Sequence, residues 1–247
     1  MKTGYWHYQT TMAGLGLLLT LGFQVVLAPA SLAQFASPPG QGRPKGTAGG
    51  GSRPIHPFCL AAPNQQEVPI ALAPDQSVAL TSQARPTVWV YLPKTKATML
   101  EFSLFTQDQE GVYQTNLPIR GTGLVKITLP PTVAALQAGQ SHYWVASLVC
   151  DPKRRTRDWT IGGWIQYQPL PPALQRQLQA STDSQQVKQY VQSNFWYDAL
   201  TRYLELRQQQ PAHSELSQLW ADLVTVGKLN SPELPHPLPM AASPLTP

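Results

Sequence analysis

Short apolar runs separated by turn residues fill the middle of this chain and constrain its fold more than any other feature. Residues 87–92 are β-branched and aromatic and are bounded by prolines, and residues 100–104 and 124–129 alternate between apolar and polar side chains. This alternation places the apolar side chains on one face of a strand. The remaining predicted strands are 68–72, 78–80, 112–115, 142–150 and 159–167.

These runs follow one another at a spacing of about 8–12 residues, which is typical of an all-β sandwich. We therefore predict about seven to nine antiparallel strands in an immunoglobulin-like sandwich over residues 55–169. The DQEG turn before residue 112 predicts a hairpin. Residues 142–150 are apolar on both faces, as expected of a central strand. Because no helical pattern interrupts the runs, a doubly wound α/β fold is excluded.

The character of the chain changes over residues 170–230, where glutamine, leucine and alanine dominate. Ser181, Thr182 and Asp183 can cap a helix that begins near residue 184. Apolar residues then recur at helical spacing, with a break near Asn194 and a new start near residue 214. This pattern predicts a C-terminal α-helical hairpin that packs on the sandwich. The alternative is a hairpin that docks a partner helix, because a single helical unit cannot bury its own face.

Residues 1–33 are predicted to be a signal peptide rather than part of the fold. Lys2 precedes an apolar run at 12–28, and Ser31-Leu32-Ala33 offers small residues at the cleavage positions. The alternative is a short transmembrane anchor. Residues 34–54 are rich in glycine and proline and predict a flexible linker. Residues 231–247 predict a disordered, proline-rich tail. We expect a periplasmic or extracellular protein with no membrane span after cleavage.

Composition and motifs limit the functional classes. Charged residues make up 13% of the chain, about half the ordinary share, and the net charge is +5. This is a mild basic bias without the dense lysine and arginine clusters of nucleic-acid proteins, so we expect no nucleic-acid partner. The G-x-S-x-G, H-E-x-x-H and S-x-x-K motifs are absent. We therefore expect no enzyme, no catalytic residue, no cofactor and no metal, although carboxylates from distant strands could still form a hydrolase site.

The two cysteines, Cys59 and Cys150, both follow the predicted signal peptide. An even number of cysteines in an oxidising compartment favours a disulfide between them. Two buried free thiols are the alternative. Neither cysteine has a second Cys or His at the spacing of a metal site.

Six segments carry a resemblance to a known family. They are PTVWVYLP at 86–93, EFSLFTQDQEGVYQT at 101–115, GLVKITLP at 123–130, HYWVASLVCDPKRRTRDWTIGGWIQ at 142–166, NFWYDALTRYLELRQQQP at 194–211 and WADLVTVGKL at 220–229. Over about residues 47–229 the chain resembles the cyanobacterial domain-of-unknown-function family 928, and the CDPKRR and GWIQ elements are the most specific. The resemblance implies an exported cyanobacterial protein and implies no reaction.

Two groups of residues are candidate binding sites. Lys153, Arg154, Arg155 and Arg157 form the one dense basic cluster, and they follow the Asp151-Pro152 turn, so we expect them at an exposed hairpin tip. They predict contact with an anionic glycan or an envelope protein, and the alternative is a solvated turn. Trp89 and Tyr91 lie opposite Val88 and Val90 on one strand. They predict either a sugar platform or part of the core.

The sequence thus favours an exported, non-enzymatic interaction module of the cyanobacterial envelope. A carbohydrate-binding sandwich is the second interpretation, and an unrecognised hydrolase is the third. An exposed row of aromatic side chains would favour the second interpretation, and a cleft that holds two or more acids would favour the third.

Overall fold

The structure is a computed structural model that describes residues 59–62, 67–74 and 77–229. The predicted signal peptide, linker and C-terminal tail lie outside the described residues. All the described residues belong to one unit of the chain, 32–247.

Within the described residues, eight strands form two sheets. The strands are β1 (Ile70–Ala71), β2 (Val78–Thr81), β3 (Thr87–Leu92), β4 (Met99–Thr106), β5 (Gly111–Pro118), β6 (Gly123–Thr128), β7 (Ser141–Leu148) and β8 (Trp159–Tyr167). One sheet has the order β1-β3-β6 and the other has the order β2-β8-β7-β4-β5. The predicted number of strands is confirmed, and the bounds predicted at 87–92 and 159–167 hold without change.

The strands are not all antiparallel, which corrects the sequence prediction. β2 runs parallel to β8 at the edge of the five-stranded sheet, with Val78 beside Trp164 and Thr81 beside Tyr167. The other strand pairs are antiparallel, including the predicted hairpin of β4 and β5. An alternating pattern specifies which face a side chain takes, but it carries no information on the direction of the neighbouring strand. The parallel pairing therefore could not be read from the pattern.

The sheets form a sandwich-like arrangement whose apolar faces contribute to one core. Leu100, Phe102 and Leu104 of β4 are buried, as are Val88 and Val90 of β3. These are the residues that the alternation placed on one face of each strand. Burial of side chains of this size contributes about 1.5–3 kcal/mol each relative to full exposure, so these residues stabilise the packing of the sheets.

The region after residue 170 contains four helices among the described residues, where the sequence predicts a helical hairpin. They are α1 (Pro172–Gln179), α2 (Asp183–Gln192), α3 (Trp196–Gln209) and α4 (Leu216–Gly227). The predicted cap at Thr182 is present, because the backbone N–H of Thr182 donates to Gln185 Oε1 at 3.0 Å. The predicted break at Asn194 is also present, and this residue has a φ of 64°. A left-handed residue cannot continue a right-handed helix.

Helix α3 joins the helical region to both sheets. Tyr197 accepts a hydrogen bond from Trp144 Nε1 of β7 at 2.8 Å and donates one to the carbonyl of Trp164 in β8 at 2.9 Å. Trp196 donates to the carbonyl of Leu72 at 3.1 Å, and Trp89 of β3 donates to Thr201 at 3.0 Å. Helices α2, α3 and α4 therefore share the core of the sheets, whereas Leu174 and Leu178 of α1 pack in a second small cluster with Phe195.

A buried carboxylate near the start of α3 makes stability depend on pH. Asp198 is 8% exposed, and the backbone N–H of Ser82 donates to its Oδ2 at 2.9 Å. Burial raises the pKa of Asp198, because desolvation disfavours the charged form. The folded state thus binds this proton more tightly than the unfolded state, whose aspartates titrate near about 3.9. The resulting stability is present below that pH and is lost as pH rises through the folded-state pKa.

We therefore expect Asp198→Asn to gain stability relative to the wild type as pH rises from about 4 to 7. Urea unfolding of both proteins at several pH values measures this difference in the free energy of unfolding. An identical difference at both ends of the range would contradict the assignment.

Candidate functional site

A cleft of about 210 Å³ lies at the end of the five-stranded sheet next to the two cysteines. It is lined by Lys96, Thr98, Met99, Glu101, Asn116, Val149, Cys150, Pro152 and Arg155. Met99 and Glu101 are on the face of β4 opposite Leu100 and Phe102, whose side chains lie in the core. The cleft therefore opens on the outer face of this sheet. Met99, at 40% exposure, is the one large apolar side chain that is exposed in the described part of the chain.

A disulfide bond holds two loops together beside the cleft. Cys59 and Cys150 are bonded, with their Cα atoms 5.1 Å apart, which confirms the predicted pairing. The carbonyl of Cys59 accepts hydrogen bonds from the backbone N–H of Lys96 at 2.9 Å and from Thr95 Oγ1 at 2.5 Å. The segment before β4 and the loop after β7 are thus tied to the same point, so that Lys96 and Arg155 line one cleft.

The loop between β7 and β8 carries the basic cluster, and we call its residues 151–158 the basic loop. Lys153 and Arg154 are exposed, as expected from the Asp151-Pro152 turn. The Asp151 carboxylate accepts a hydrogen bond from the backbone N–H of Lys153 at 2.9 Å, which stabilises this turn. A short 3₁₀ helix, Arg155–Arg157, completes the loop.

Arg155 is a structural member of the basic loop. Its guanidinium donates to both carboxylate oxygens of Glu101 at 2.9 and 3.3 Å, and its Nε donates to Asp158 at 2.5 Å. The hydrogen bonds to Glu101 and then to Asp158 raise the pKa of Arg155. Arg157 pairs with Asp151 at 3.7 Å. The sequence underestimated this neutralisation, because Glu101 comes from β4 and is distant in sequence.

Three cations at or near the cleft differ from Arg155 and Arg157 in their ion pairing. Lys96, Lys153 and Arg154 are exposed, and within the described residues no ion pair involves any of them. Lys96 lines the cleft directly, and the other two follow Pro152, which also lines it. The acids of the site are already paired with Arg155 and Arg157. The site therefore has a surplus of positive charge that is available to an anion.

Trp89 and Tyr91 are buried, so they do not form the exposed platform that was one of their two predicted roles. They are 3% and 2% exposed. Trp89 donates to Thr201 of α3, and Lys126 Nζ lies 5.7 Å from its ring centroid. The Tyr91 hydroxyl donates to Glu67 at 2.9 Å. Burial raises the pKa of Tyr91, and the hydrogen bond to Glu67 adds to this effect. Helix α3 covers Trp89, and both residues belong to the core.

Across the described ranges no group of three or more His, Cys, Asp and Glu side chains is placed to hold a metal ion. No helix among the described residues is long and apolar enough to cross a membrane.

The match of the chain to a family model supplies its classification. The model for the Domain of Unknown Function (DUF928) matches residues 48–234. The chain belongs to the DUF928 family. No curated protein matches its sequence. The matched range of this DUF928 member contains every described residue, and hence both sheets, the four helices and the cleft.

Sequence reasoning missed two residues of this DUF928 site, Lys96 and Glu101. The alternation of β4 places Glu101 opposite the core side chains, which marks it as a residue of the outer face. The alternation shows which face of β4 Glu101 takes, but it does not show which cation pairs with it. Arg155 is 54 residues away in sequence, and only the pairing of β4 with β7 brings the two side chains together.

Proposed function

We propose that this protein is an exported, non-enzymatic interaction module of the cyanobacterial cell envelope, and that it binds an anionic partner at the cleft. Lys96, Lys153 and Arg154 supply the positive charge. The observation that carries the proposal is the pairing of the acids of the site with Arg155 and Arg157, which leaves these three exposed cations without an acidic partner among the residues that the structure describes. Several exposed cations near one cleft attract an anion and speed its encounter with the protein.

Export is supported by two independent features. The sequence at 1–33 has the charge, apolar run and small residues of a signal peptide. The Cys59–Cys150 disulfide is of the kind that persists in the periplasm or outside the cell and is rare in the reducing cytosol.

Binding rather than catalysis is supported by the state of Glu101. Both of its carboxylate oxygens accept hydrogen bonds from Arg155. A bidentate ion pair of this kind orients the carboxylate. This arrangement positions the basic loop against β4 and occupies both carboxylate oxygens of Glu101. The hydrolase interpretation would require a free acid at this point.

The immunoglobulin-like topology stays a prediction that belongs to this proposal. The presence of two sheets favours it, and the parallel β2–β8 pair departs from it.

Charge reversal of the basic loop tests the proposal. We expect Lys153→Glu with Arg154→Glu to weaken retention on an anionic matrix by about tenfold or more at low salt, and the difference should shrink as salt rises, because exposed charges are screened within about 8–10 Å. The free energy of unfolding should change by less than about 0.5 kcal/mol, because both side chains are on the surface. Retention as a function of salt and urea unfolding measure the two quantities.

The matched control is Arg176→Glu with Lys228→Glu. Both residues are exposed, lie in the helical region and take part in no ion pair among the described residues. The control changes the net charge by the same amount and should retain most of the wild-type binding. Equal losses in the two double variants would show that only net charge matters, and would refute a site at the cleft.

A further inference from the structure

Three aromatic side chains form a row across the outer face of the five-stranded sheet. Phe105 of β4 lies opposite Tyr143 of β7, and Tyr143 lies opposite Trp164 of β8. All three side chains are partly exposed. The ring centroids of Tyr143 and Trp164 are 5.1 Å apart. We call these three residues the aromatic row.

Gly162 allows Tyr143 to lie along the sheet. A Cβ atom at position 162 would be 3.0 Å from the Tyr143 hydroxyl oxygen and 2.3 Å from the carbonyl oxygen of Trp144. The Tyr143 ring therefore extends over the position where any other residue would project its side chain. The planes of the Tyr143 and Trp164 rings are tilted by 50° relative to each other.

The aromatic row and the cleft share one face of one sheet. Met99, Glu101, Ser103 and Phe105 alternate with the core residues of β4, and the first two line the cleft. Glu101 and Phe105 are four residues apart, or about 13 Å along an extended strand. One extended ligand can therefore contact both.

The surface between the cleft and the row carries short side chains, among them the partly exposed Val145 of β7, which lies opposite Ser103 and Gly162. Ser103 of β4 is there, and Ser147 of β7 lies opposite Thr160 of β8, with their hydroxyl oxygens 3.2 Å apart. These short side chains leave room for a ligand that lies along the sheet, and the exposed Thr160 hydroxyl can form a hydrogen bond with it.

We propose that this face binds an acidic polysaccharide, whose sugar rings lie on the aromatic row and whose carboxylate or sulfate groups contact Lys96, Lys153 and Arg154. The proposal rests on the proposed function and names its ligand class. Pyranose rings have apolar C–H faces that pack on aromatic rings, and their hydroxyl groups can form hydrogen bonds with Thr160. A ligand that has sugar rings and repeated negative charges matches both the aromatic row and the cations near the cleft.

Binding to three polymers tests the aromatic row and the cations near the cleft separately. The probes are alginate, which is a polymer of uronate rings, poly-aspartate, which has the charges without the rings, and dextran, which has rings without charge. The full mature chain in its oxidised form should bind alginate most tightly. Trp164→Ala should weaken alginate binding by about tenfold, the loss expected for one ring contact, and should leave poly-aspartate binding unchanged. Lys153→Glu with Arg154→Glu should weaken binding of both charged polymers.

A second variant and a control distinguish a specific loss of binding from misfolding of one variant. Phe105→Ala removes the other end of the row and should reproduce the loss of alginate binding. Tyr167→Ala removes an aromatic ring from the same strand as Trp164 but on the opposite face. This variant should bind alginate like the wild type. Thermal unfolding identifies any variant that fails to fold.

The outcomes distinguish this inference from the proposed function. If both row variants fold and bind alginate like the wild type while the basic-loop variant does not, the ligand class is wrong and the anion site stands. If dextran binds as tightly as alginate, the ligand is a neutral glycan and the inference is wrong. If the wild type binds poly-aspartate and not alginate, the partner is an acidic protein. If the basic-loop variant binds both charged polymers like the wild type, the proposed function itself is refuted.

Discussion

Replacing Cys59 and Cys150 by alanine is expected to lower the free energy of unfolding by up to about 4.6 kcal/mol, which is the loop-closure entropy that the disulfide removes from the unfolded chain. The bond closes a loop over a sequence separation of 91 residues, and long loops give the largest effect of this kind. Denaturant unfolding of the oxidised wild type and the double variant measures the difference.

Reduction of the wild type provides the matched control. The reduced protein should unfold near the midpoint of the double variant, because both lack the cross-link. We also expect the double variant to bind anionic polymers more weakly, since Cys150 lines the cleft and the bond ties the basic loop to the segment that carries Lys96. An unchanged unfolding midpoint in the double variant would show that the cross-link does not contribute to stability.

Replacing Trp144 by alanine should cost about 3–5 kcal/mol of stability, the usual loss for a large aromatic side chain removed from a core. Trp144 is fully buried in β7, and its ring centroid is 6.4 Å from that of Phe102. Its Nε1 donates to Tyr197 of α3, so the side chain contacts the sheet and the helical region together. Urea unfolding monitored by far-ultraviolet circular dichroism measures the loss.

Tyr197→Phe is the matched comparison, since it removes the hydroxyl group and keeps the ring. It leaves the Trp144 N–H and the Trp164 carbonyl without this partner, which should cost about 1–3 kcal/mol. If Trp144→Ala costs no more than Tyr197→Phe, the hydrogen bonds rather than the packing of the indole hold α3 on the sheets.

The local signals in the sequence were sufficient for most of the strands. β3 and β8 have the predicted bounds, because runs of β-branched and aromatic residues flanked by proline or turn residues have one favourable backbone conformation. The cap at Thr182 and the break at Asn194 are equally local, and both are present. The first helix, α1, was not predicted, since its eight residues hold only two buried apolar side chains.

The candidate site was also predictable from the sequence only where local signals were sufficient. The exposure of Lys153 and Arg154 follows from an Asp-Pro turn between two strands and was predicted from sequence. The engagement of Arg155 by Glu101 was not, because ion pairs between distant segments depend on which strands become neighbours. The disulfide was predictable from the number of cysteines, whereas its place beside a cleft was not.

The aromatic residues show most clearly what the sequence determined and what the tertiary structure decided. The sequence alone predicted that Trp89, Tyr91, Tyr143 and Trp164 lie in strands and that Trp89 and Tyr91 share one face of their strand. It could not show which aromatic face is covered. In the folded chain α3 packs over Trp89, while Tyr143 and Trp164 stay partly exposed on the other sheet. The alternation of a strand depends on backbone geometry alone, whereas the exposure of each face depends on which distant element packs against it, and only the tertiary structure decides that.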